Sequence, residues 1–581
     1  MPMVTRRSWG QALALLDRSR KLGWVDLLVV VGLVGVLYGM LELGTQWTNE
    51  FHETVDIDLS PKALPLYTFF SLCRGLIAYV ISLAFTLVYG YWAAKDAMAE
   101  RVLVPLLDIL QSIPVLGFLP ALLLAFVYIF PHNNIGLELA CVVMIFTGQA
   151  WNMTFSFYRS VKSVPMDQRE VATVYRFTWW QRFKWVELPC STIGLVWNSM
   201  MSMAGGWFFL SICEAFQLGD KDFRLPGIGS YMSVAVEEGR VDAQLYALAA
   251  MMIMIIAVDQ LLWRPIVVWA TKFRVEEGGD LSAPTSWFLN WLTRSSLVAI
   301  VLGWFTLLLP KYRPGPVAVP RERYDPTLAS PWLDRIVMVV FCILLVGLGV
   351  GAWKLLTLLT EVSLEQWGGI GVATLGTLGR VLAATILGTL WALPAGLAIG
   401  LSPRLSRIMQ PVVQVVASFP PPMLFPIVVA GLAVAGIGLG WGSILLMLLG
   451  TQWYILFNVI AGASAIPADL KEMSTSYRIA GWQRFRDLYF PGVFPYLVTG
   501  WVTAAGGAWN ASIVSEWYTV HKDEILRTWG IGAEISAAVS KKDIPMLAAS
   551  VLAMSTVVVL FNRTVWRRCY RLAEERFSLN K

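Results

Sequence analysis

The sequence predicts an all-α polytopic membrane protein made of two parallel tandem repeats of a six-helix unit, with about twelve transmembrane helices. The 581 residues are 57% hydrophobic and 14% charged, and the mean hydropathy is +0.61, far from the usual composition of soluble proteins. Apolar stretches of roughly 20 residues, enough to cross the hydrocarbon core, recur along nearly the whole chain. The second half also repeats residues of the first half at two fixed spacings, one before and one after the end of the third span.

Each half contains apolar stretches with the length of a transmembrane helix. No segment has the alternating pattern of a strand, and a sheet edge exposed to lipid would leave backbone groups unpaired. In the first half we place the spans at Leu27–Leu43, Leu66–Ala94, Val102–Phe130, Ile135–Phe157, Cys190–Phe216 and Leu245–Trp263. In the second half we place them at Ile336–Trp353, Val372–Gly400, Met409–Ala435, Ser443–Ala461, Phe494–Val514 and Ile544–Phe561.

Basic residues are concentrated in connections between alternate spans, where the positive-inside rule places cytoplasmic loops. Lys95–Arg101 and Arg563–Arg576 are two of these connections, whereas Thr45–Leu64, on the opposite side, is acidic. We therefore expect a multi-pass protein of the bacterial inner (plasma) membrane with both termini in the cytoplasm. The net charge of +6 is explained by this topology and does not indicate nucleic-acid binding. The expected surroundings of the spans are membrane lipid. No cleaved signal peptide is expected, since no small-residue cleavage site follows the first span.

The internal repeat has a fixed register. Six residues of the first half recur 306 positions later, namely Arg74, Arg101, Pro105, Ser112, Pro114 and Pro120. Beyond the third span the offset is 302, and the matched residues include Trp151, Tyr175, Arg176, Trp207 and Glu214. Because each unit has an even number of spans, both insert in the same orientation, and a pore is expected on the axis between them.

We divide the chain into a first unit at 1–270, a proline-rich linker at 271–333 and a second unit at 334–581. The linker composition predicts a semi-rigid cytoplasmic or interfacial connector. Within it, Leu297–Leu309 is strongly apolar but too short to cross a membrane, and we expect an interfacial helix there. A thirteenth crossing would invert the second unit against its own basic loops.

The loop between the fourth and fifth spans of each unit combines charged and aromatic residues. It reads PMDQREVATVYRFTWWQRFKWVELP from Pro165 and PADLKEMSTSYRIAGWQRFRDLYFP from Pro467. The pattern predicts a short amphipathic helix, a turn and a second helix under the bilayer. A loop that lies on the membrane surface and has no partner is the alternative interpretation.

These two loops resemble the Glu-Ala-Ala signature of permeases from binding-protein-dependent ABC importers. Glu170 and Glu472 occupy the position of the signature glutamate, and both loops have the expected ending, as Val-Glu-Leu-Pro before Cys190 and Leu-Tyr-Phe-Pro before Gly492. There are two departures from the signature. Arg176 and Arg478 stand where the family has the glycine of the turn, and the second copy reads Glu-Met-Ser.

In that family the loop is the coupling helix, which docks on an ATPase subunit. The resemblance therefore implies two docking elements, Glu170–Phe183 and Glu472–Phe485, and two ABC ATPase partners that carry ATP and magnesium. It also implies an extracytoplasmic or lipid-anchored solute-binding protein. The docking residues so implied are Glu170, Ala172, Tyr175, Arg176, Trp180, Arg182, Phe183, Glu472, Tyr477, Arg478, Trp482, Arg484 and Phe485.

The chain itself has neither a GxxxxGK[ST] phosphate loop nor an acid–base or metal-binding constellation, so we expect a non-catalytic transport subunit without a cofactor or metal of its own. The segments SIPVLGFLP and SFPPPMLFP, with Gly-Ile-Gly after each fifth span, are similar to the nitrate, sulfonate, taurine and bicarbonate branch. The resemblance implies the pore of an importer with two fused permeases, moving a small solute such as an anion. An ion-coupled secondary transporter and a passive channel are the alternatives.

Several residues could line the path or form its gate. The intramembrane prolines either break the third spans beside a cavity or only kink them, and the polar fifth spans could face a pore or only allow close helix contact. The candidates are Ser112, Pro114, Asn198, Ser202, Trp207, Ser211, Glu214, Ser418, Pro420, Thr503, Trp509, Asn510, Ser512 and Glu516.

The acidic pair Glu214 and Glu516 is expected to be held by hydrogen-bond donors and to close the outer gate. We expect Arg74 and Arg380 to extend to the lipid headgroups, although they could instead attract an anion. Glycines such as Gly227 are expected to allow the tight outer loops through unusual backbone angles.

Overall fold

The computed structural model describes residues 23–49, 56–112, 114–218, 221–273, 286–292, 349–521 and 524–577, with the isolated positions 295, 297, 346 and 347. Several predicted features lie wholly or largely outside the described residues. These are the basic N-terminal segment, the proline-rich linker with its interfacial helix, and the first span of the second half, Ile336–Trp353.

The predicted all-α architecture is confirmed in the described part of the first half. Its long helices are α1 (Trp24–Thr48), α2 (Leu64–Lys95), α3 (Ala97–Ser112), α4 (Val115–Ile129), α5 (Ile135–Lys162), α8 (Leu188–Cys213) and α10 (Val241–Val258). Its short elements are α6 (Met166–Val174), α7 (Trp179–Arg182), the hairpin β1 (Gln217–Leu218) and β2 (Lys221–Asp222), α9 (Ile228–Glu237), α11 (Arg264–Ala270) and α12 (Trp287–Leu292).

The second half repeats this order of elements. Its long helices are α13 (Leu364–Leu401), α14 (Pro403–Ala417), α15 (Pro421–Val434), α16 (Leu439–Ala465), α19 (Phe490–Ser515) and α21 (Ile544–Phe561). Its short elements are α17 (Ala468–Ser476), α18 (Gly481–Arg484), the hairpin β3 (Trp517–His521) and β4 (Glu524–Arg527), α20 (Ile531–Lys541) and α22 (Arg567–Arg576). The two hairpins correct the expectation that strands are absent. They follow the fifth spans, on the predicted outer side, where they do not leave an edge in lipid.

The predicted third span is two helices in each half, which corrects the single crossings Val102–Phe130 and Met409–Ala435. In the first half the chain passes from α3 to α4 through Pro114, which has extended backbone angles. In the second half α14 and α15 meet at an angle of 83°. Proline lacks the N–H that a continuous helix needs at this point, so these prolines break the spans and do not merely kink them.

Seven helices in the described part of the chain are long and apolar enough to cross a membrane, and α14 with α15 would make an eighth span. The fifth predicted spans are α8 and α19, each 26 residues long. At about 1.5 Å per residue they also have the required length. Their serine, threonine and asparagine side chains lower the mean hydropathy. This explains why the two helices are not among the seven that are apolar enough to be counted as spans.

By their contacts the residues form two units. One unit combines Met1–Leu41 with Thr285–Glu361, and the other combines Glu42–Pro284 with Val362–Lys581. In the first unit, the buried carboxylate of Asp26 accepts hydrogen bonds from the Gly23 amide at 2.9 Å and from the Ser295 hydroxyl at 2.7 Å. The second unit holds the repeated bundle of both halves and every site described below.

Small residues bring the long helices of the second unit together. A Cβ atom at Gly396 would lie 2.6 Å from the Val459 side chain, and one at Gly90 would lie 3.0 Å from the Phe157 ring. In both halves this contact joins the second predicted span to the fourth. Close approach at small residues is the usual basis of helix packing in membranes, where burial from water contributes little.

Candidate functional site

Each of the two loops predicted to be cytoplasmic folds as expected, as a helix, a turn and a second helix. Helix α6 begins after Pro165, and its last turn is closed by hydrogen bonds from the Arg176 amide to the Thr173 carbonyl at 3.0 Å and from the Phe177 amide to the Ala172 carbonyl at 2.9 Å. In the second loop the Arg478 amide donates to the Thr475 carbonyl at 3.0 Å. These bonds form the helix-ending motif that normally uses glycine.

The two arginines that replace glycine keep the left-handed turn. Arg176 has φ 51° and Arg478 has φ 54°, a region that side chains with a Cβ atom rarely adopt. The turn geometry expected from the family signature is therefore present despite the substitution. The two residues carry backbone strain that glycine would not.

The signature glutamates Glu170 and Glu472 are exposed, whereas Ala172 and its counterpart Ser474 are buried. Ala172 packs with Val164 and Val186, so it joins α6 to the start of the fifth span. This arrangement leaves the glutamates on a surface that a partner can reach.

The exposed aromatic residues differ in number between the loops. Tyr175 and Trp180 in the first loop are 70% and 56% exposed, and Tyr477 and Trp482 in the second are 75% and 74% exposed. The first loop also exposes Val171, Val174, Trp179 and Trp185. Its surface is therefore the more apolar of the two.

The first loop is tied to its bundle by ion pairs. Glu187 accepts a hydrogen bond from Lys95 at the end of α2 and pairs with Arg182 Nε at 3.0 Å. Phe183 packs edge-on against Tyr91, with ring centroids 5.0 Å apart. These contacts connect the loop to α2 as well as to α8.

In the second loop the arginine equivalent to Arg182 has neutral partners instead of a carboxylate. Arg484 donates to the Lys471 carbonyl at 3.1 Å and lies over the Tyr489 ring at 5.3 Å. Trp482 stacks on Phe485, with centroids 5.1 Å apart.

Partial burial lowers the pKa of the Lys471 ammonium group, because desolvation disfavours its charged form.

Near the predicted outer ends of the spans, Arg74 lies at the centre of a buried cluster. Its guanidinium donates to both oxygens of Glu138 at 2.6 Å and to Glu214 Oε1 at 2.7 Å, and its side chain is fully buried. The expectation that Arg74 extends to the headgroups is therefore wrong, because the two carboxylates hold it inside the bundle.

The second half contains a similar cluster with one carboxylate fewer. Arg380 donates to Glu516 Oε1 at 2.9 Å and, through Nε, to the Gly440 carbonyl at 3.3 Å. Gly440 occupies the position of Glu138 in the repeat. Headgroup contact is thus wrong for Arg380 too, although its side chain remains 14% exposed.

The glutamates are held by donors, as predicted. The Ser71 hydroxyl donates to Glu214 at 2.7 Å, and the Gly229 amide N–H also donates to Glu214, at 2.9 Å. Thr377 donates to Glu516 at 2.8 Å. These partners lie in the same half as the carboxylate that they hold. A gating role for Glu214 and Glu516 stays a prediction.

The explanation from glycine backbone angles is wrong for Gly227 and Gly530. Their φ values are 179° and 169°, which is extended backbone that any residue adopts. The requirement is space, since a Cβ atom on Gly227 would lie 2.4 Å from the Glu214 carboxyl group and one on Gly530 would lie 2.3 Å from Glu516.

A cavity of about 160 Å³ lies between the two halves. It is bordered by the middle of the fourth and fifth spans, by the starts of α4 and α15, and by the end of α21. Its described lining contains no charged side chain. It consists of amide, hydroxyl and aromatic groups with small residues between them, among them Asn152, Trp151, Gln414, Tyr454 and Thr451.

Four of the predicted path residues line this cavity, namely Pro114, Thr503, Trp509 and Asn510. Ser418 and Trp207 instead border a much smaller space of about 10 Å³. Trp207 is 2% exposed and packs on Gly75. Pro420 precedes α15, and Ser112 ends α3 in the described backbone.

The other polar candidates of the fifth spans are used inside the bundle. Asn198 donates to Ser156 at 2.9 Å, and the Ser211 and Ser512 hydroxyls bond to backbone carbonyls of their own helices. Ser202 is buried, with a hydroxyl that has no partner. None of these four residues lines the cavity, and their place on the path stays a prediction.

Sequence reasoning missed several aromatic residues of the cavity wall. Trp151 and Trp453 both line it, and they occupy equivalent positions in the repeat. A large aromatic residue matched in both halves of a predicted pore was the signal that could have identified them.

The family model for the "Binding-protein-dependent transport system inner membrane component" matches the chain twice, at residues 86–264 and 384–566. These two stretches contain the two cytoplasmic loops, both fifth spans and most of the cavity wall.

Curated relatives show the same kind of similarity. The nitrate import permease protein NrtB of a Synechocystis strain is 27% identical over 148 residues, which are 26% of this chain and 52% of NrtB. The bicarbonate transport system permease protein CmpB of the same organism is 28% identical over 163 residues, covering 28% of this chain and 57% of CmpB. The taurine transport system permease protein TauC of Escherichia coli is 26% identical, covering 28% of this chain and 55% of TauC.

The chain thus spans about half the length of the curated relatives that it matches. The family model covers more than half of the chain and matches it once in each half, so the duplication predicted from the sequence is confirmed. The chain belongs to the family of inner-membrane components of binding-protein-dependent transport systems, as a tandem duplicate of its permease unit.

Proposed function

We propose that this chain is the transmembrane pore of an ATP-driven importer that moves a small anion into the cytoplasm. The observation that carries the proposal is the continuity between each cytoplasmic loop and the cavity wall. Helix α7 passes through a π-helical turn, Phe183–Glu187, directly into α8, and α18 passes through Phe485–Tyr489 into α19. Residues of both α8 and α19 line the cavity.

In this proposal, two separate ATPase subunits bind the loops and carry ATP and magnesium. A movement of these subunits turns each loop as a rigid body, and the loop transmits the rotation to the fifth span. The cavity then opens alternately to each side of the membrane. A solute-binding protein delivers the solute at the outer face, and this chain supplies no catalytic group.

The names of the relatives support a small oxyanion or sulfonate as the solute, with nitrate, bicarbonate and taurine as the first candidates. The described cavity wall carries neutral side chains with hydrogen-bond donors, including the amides of Asn152 and Gln414 and the hydroxyl of Tyr454. Neutral donors bind an anion weakly enough to release it, whereas a fixed cation would hold it.

The test uses the chain assembled with its ATPase subunits and binding protein in vesicles, with labelled nitrate, bicarbonate or taurine outside. Charge reversal by Glu170→Lys with Glu472→Lys should reduce ATP-dependent uptake at least tenfold, because both exposed glutamates lie on the docking surface. The control is Glu365→Lys, which reverses the charge of an exposed glutamate in the first turn of α13, on the predicted outer side, and should leave binding of the ATPase subunits unchanged.

Undiminished uptake from the double variant at Glu170 and Glu472 would contradict the docking role. Mass measurement of the intact complex should find one copy of this chain with two ATPase subunits, since both docking loops are on it. Two copies of this chain in the complex would contradict the proposed assembly.

A further inference from the structure

A hydrogen bond crosses between the two halves at the wall of the cavity. The backbone N–H of Val115, at the start of α4 in the first half, donates to Asn510 Oδ1 of α19 in the second half at 2.7 Å. The amide nitrogen of Asn510 donates to the Gly506 carbonyl at 3.3 Å, which fixes the orientation of the amide. Both Val115 and Asn510 line the cavity.

Val115 needs this acceptor. It is the first residue of α4, so its N–H has no partner within the helix. The preceding Pro114 has φ −63° and ψ 113° and makes no side-chain cap. Val115 is only 4% exposed, and a buried N–H without a partner is costly.

The repeat supplies a natural comparison. Val115 corresponds to Pro421, which has no N–H, and Asn510 corresponds to Phe208, which has no acceptor. The backbone before them is nearly identical, because Pro420 has φ −70° and ψ 117°. The donor and the acceptor are therefore both present at one site of the repeat and both absent at the other.

We propose that Asn510 is a positioning residue that holds the start of α4 against the fifth span of the opposite half. The bond makes the N-terminal end of α4 move together with α19 during the transport cycle, and the equivalent end of α15 has no such bond. The consequence for transport rests on the proposed function, whereas the effect on the cavity wall can be measured without it.

The pairing of donor and acceptor predicts a rescue. Asn510→Leu removes the acceptor and leaves the Val115 N–H unsatisfied, so the start of α4 should leave its position. Val115→Pro removes the donor and copies the arrangement at Pro421, and proline is well suited to the first position of a helix. The double variant should therefore regain the wild-type position, since deleting both partners is nearly neutral.

The readout is the rate at which N-ethylmaleimide labels a cysteine introduced by Thr503→Cys on the cavity wall, with the chain lacking that substitution as background. Asn510→Leu should raise the rate about fivefold to tenfold. Adding Val115→Pro should return it to within about twofold of the parent.

The matched control is Asn152→Leu, which removes another amide from the cavity wall. Val115→Pro should not correct any change that Asn152→Leu causes. Equal labelling of the parent and Asn510→Leu, or no correction by Val115→Pro, would overturn the proposal.

Uptake of labelled nitrate, bicarbonate or taurine should be reduced by Asn510→Leu and restored when Val115→Pro is added. A chain whose labelling follows the rescue but which transports none of the three in its assembled complex would contradict the proposed function alone.

Discussion

The two halves of this protein share a backbone plan but stabilise it with different chemistry. Both halves keep one arginine–glutamate pair, but where the first half adds further ion pairs, the second half has neutral groups. At the predicted outer end, Arg74 has two carboxylate partners, whereas Arg380 has Glu516 and the Gly440 carbonyl. At the predicted cytoplasmic end, Glu187 binds two cations, and its counterpart Tyr489 lies beneath the Arg484 guanidinium.

The comparison shows which features the architecture requires. Hydrogen-bond geometry around the Glu214 and Glu516 carboxylates is repeated almost unchanged, so those contacts are part of the common plan. The added carboxylate of Glu138 and the ion pairs of Glu187 are specific to one copy. The duplicated unit therefore tolerates replacement of charge by neutral polar or aromatic groups at either end of the bundle.

The largest expected effect comes from removing the buried cation of the first half. Arg74→Leu leaves the carboxylates of Glu138 and Glu214 without their counterion in a site that excludes water. We expect a loss of about 3–5 kcal/mol in the free energy of unfolding. Thermal unfolding of the purified chain in detergent measures this loss as a lowered Tm.

Arg380→Leu is the matched variant of the second half. Its expected loss is smaller, because one carboxylate is left unpaired and the site is partly exposed. Equal losses from the two variants would contradict the view that the extra carboxylate makes the first cluster more dependent on its arginine.

A smaller effect is expected at the cytoplasmic end. Glu187→Gln removes the partner of Lys95 and Arg182 while keeping the size of the side chain. We expect a loss of about 1–2 kcal/mol, since the carboxylate is buried but its cations are partly exposed. The same unfolding measurement at low and high salt should show a smaller loss at high salt.

The control for this prediction is Asp487→Asn in the second loop. Asp487 pairs with Arg486 at 3.7 Å on the surface, with side chains 50% and 77% exposed, so the loss should be below about 0.5 kcal/mol. A loss from Asp487→Asn as large as that from Glu187→Gln would refute the distinction between the two loops.

The smallest expected effect tests a feature that the halves share. Arg176→Gly and Arg478→Gly each relieve a left-handed backbone angle, and each should stabilise its loop by at most about 1 kcal/mol. Protection of the α6 and α17 amides against hydrogen exchange should increase. Tyr175→Gly, at φ −80°, is the control and should decrease protection, because glycine offers no relief there. A decrease for both arginine variants would show that their side chains matter more than the strain.

Much of the fold could be predicted because it depends on periodic patterns. The register of Arg74 with Arg380, and of Trp207 with Trp509, revealed the duplication that the family matches confirm. The cytoplasmic helices could be predicted from charge and aromatic pattern. The sequence did not decide whether the third spans are broken or only kinked, since Pro114 and Pro420 permit both.

The candidate site was predicted less completely. Thr503, Trp509 and Asn510 were expected on the path and line the cavity, while Asn198, Ser211 and Ser512 were expected there and bond within the bundle. Which side of a helix faces a neighbour depends on its rotation. An evenly apolar membrane helix gives little pattern from which to read that rotation.

The sequence by itself determined the membrane location, the duplication, the approximate spans and the two loops predicted to be cytoplasmic. Hydropathy and charge can be read from short stretches of the chain, and the duplication can be read by matching such stretches. Only the tertiary structure decided that Arg74 is enclosed by Glu138 and Glu214 and that Val115 bonds to Asn510. These partners are 64, 140 and 395 residues apart in sequence. Such contacts depend on how helices from distant parts of the chain meet, and no local pattern encodes that meeting.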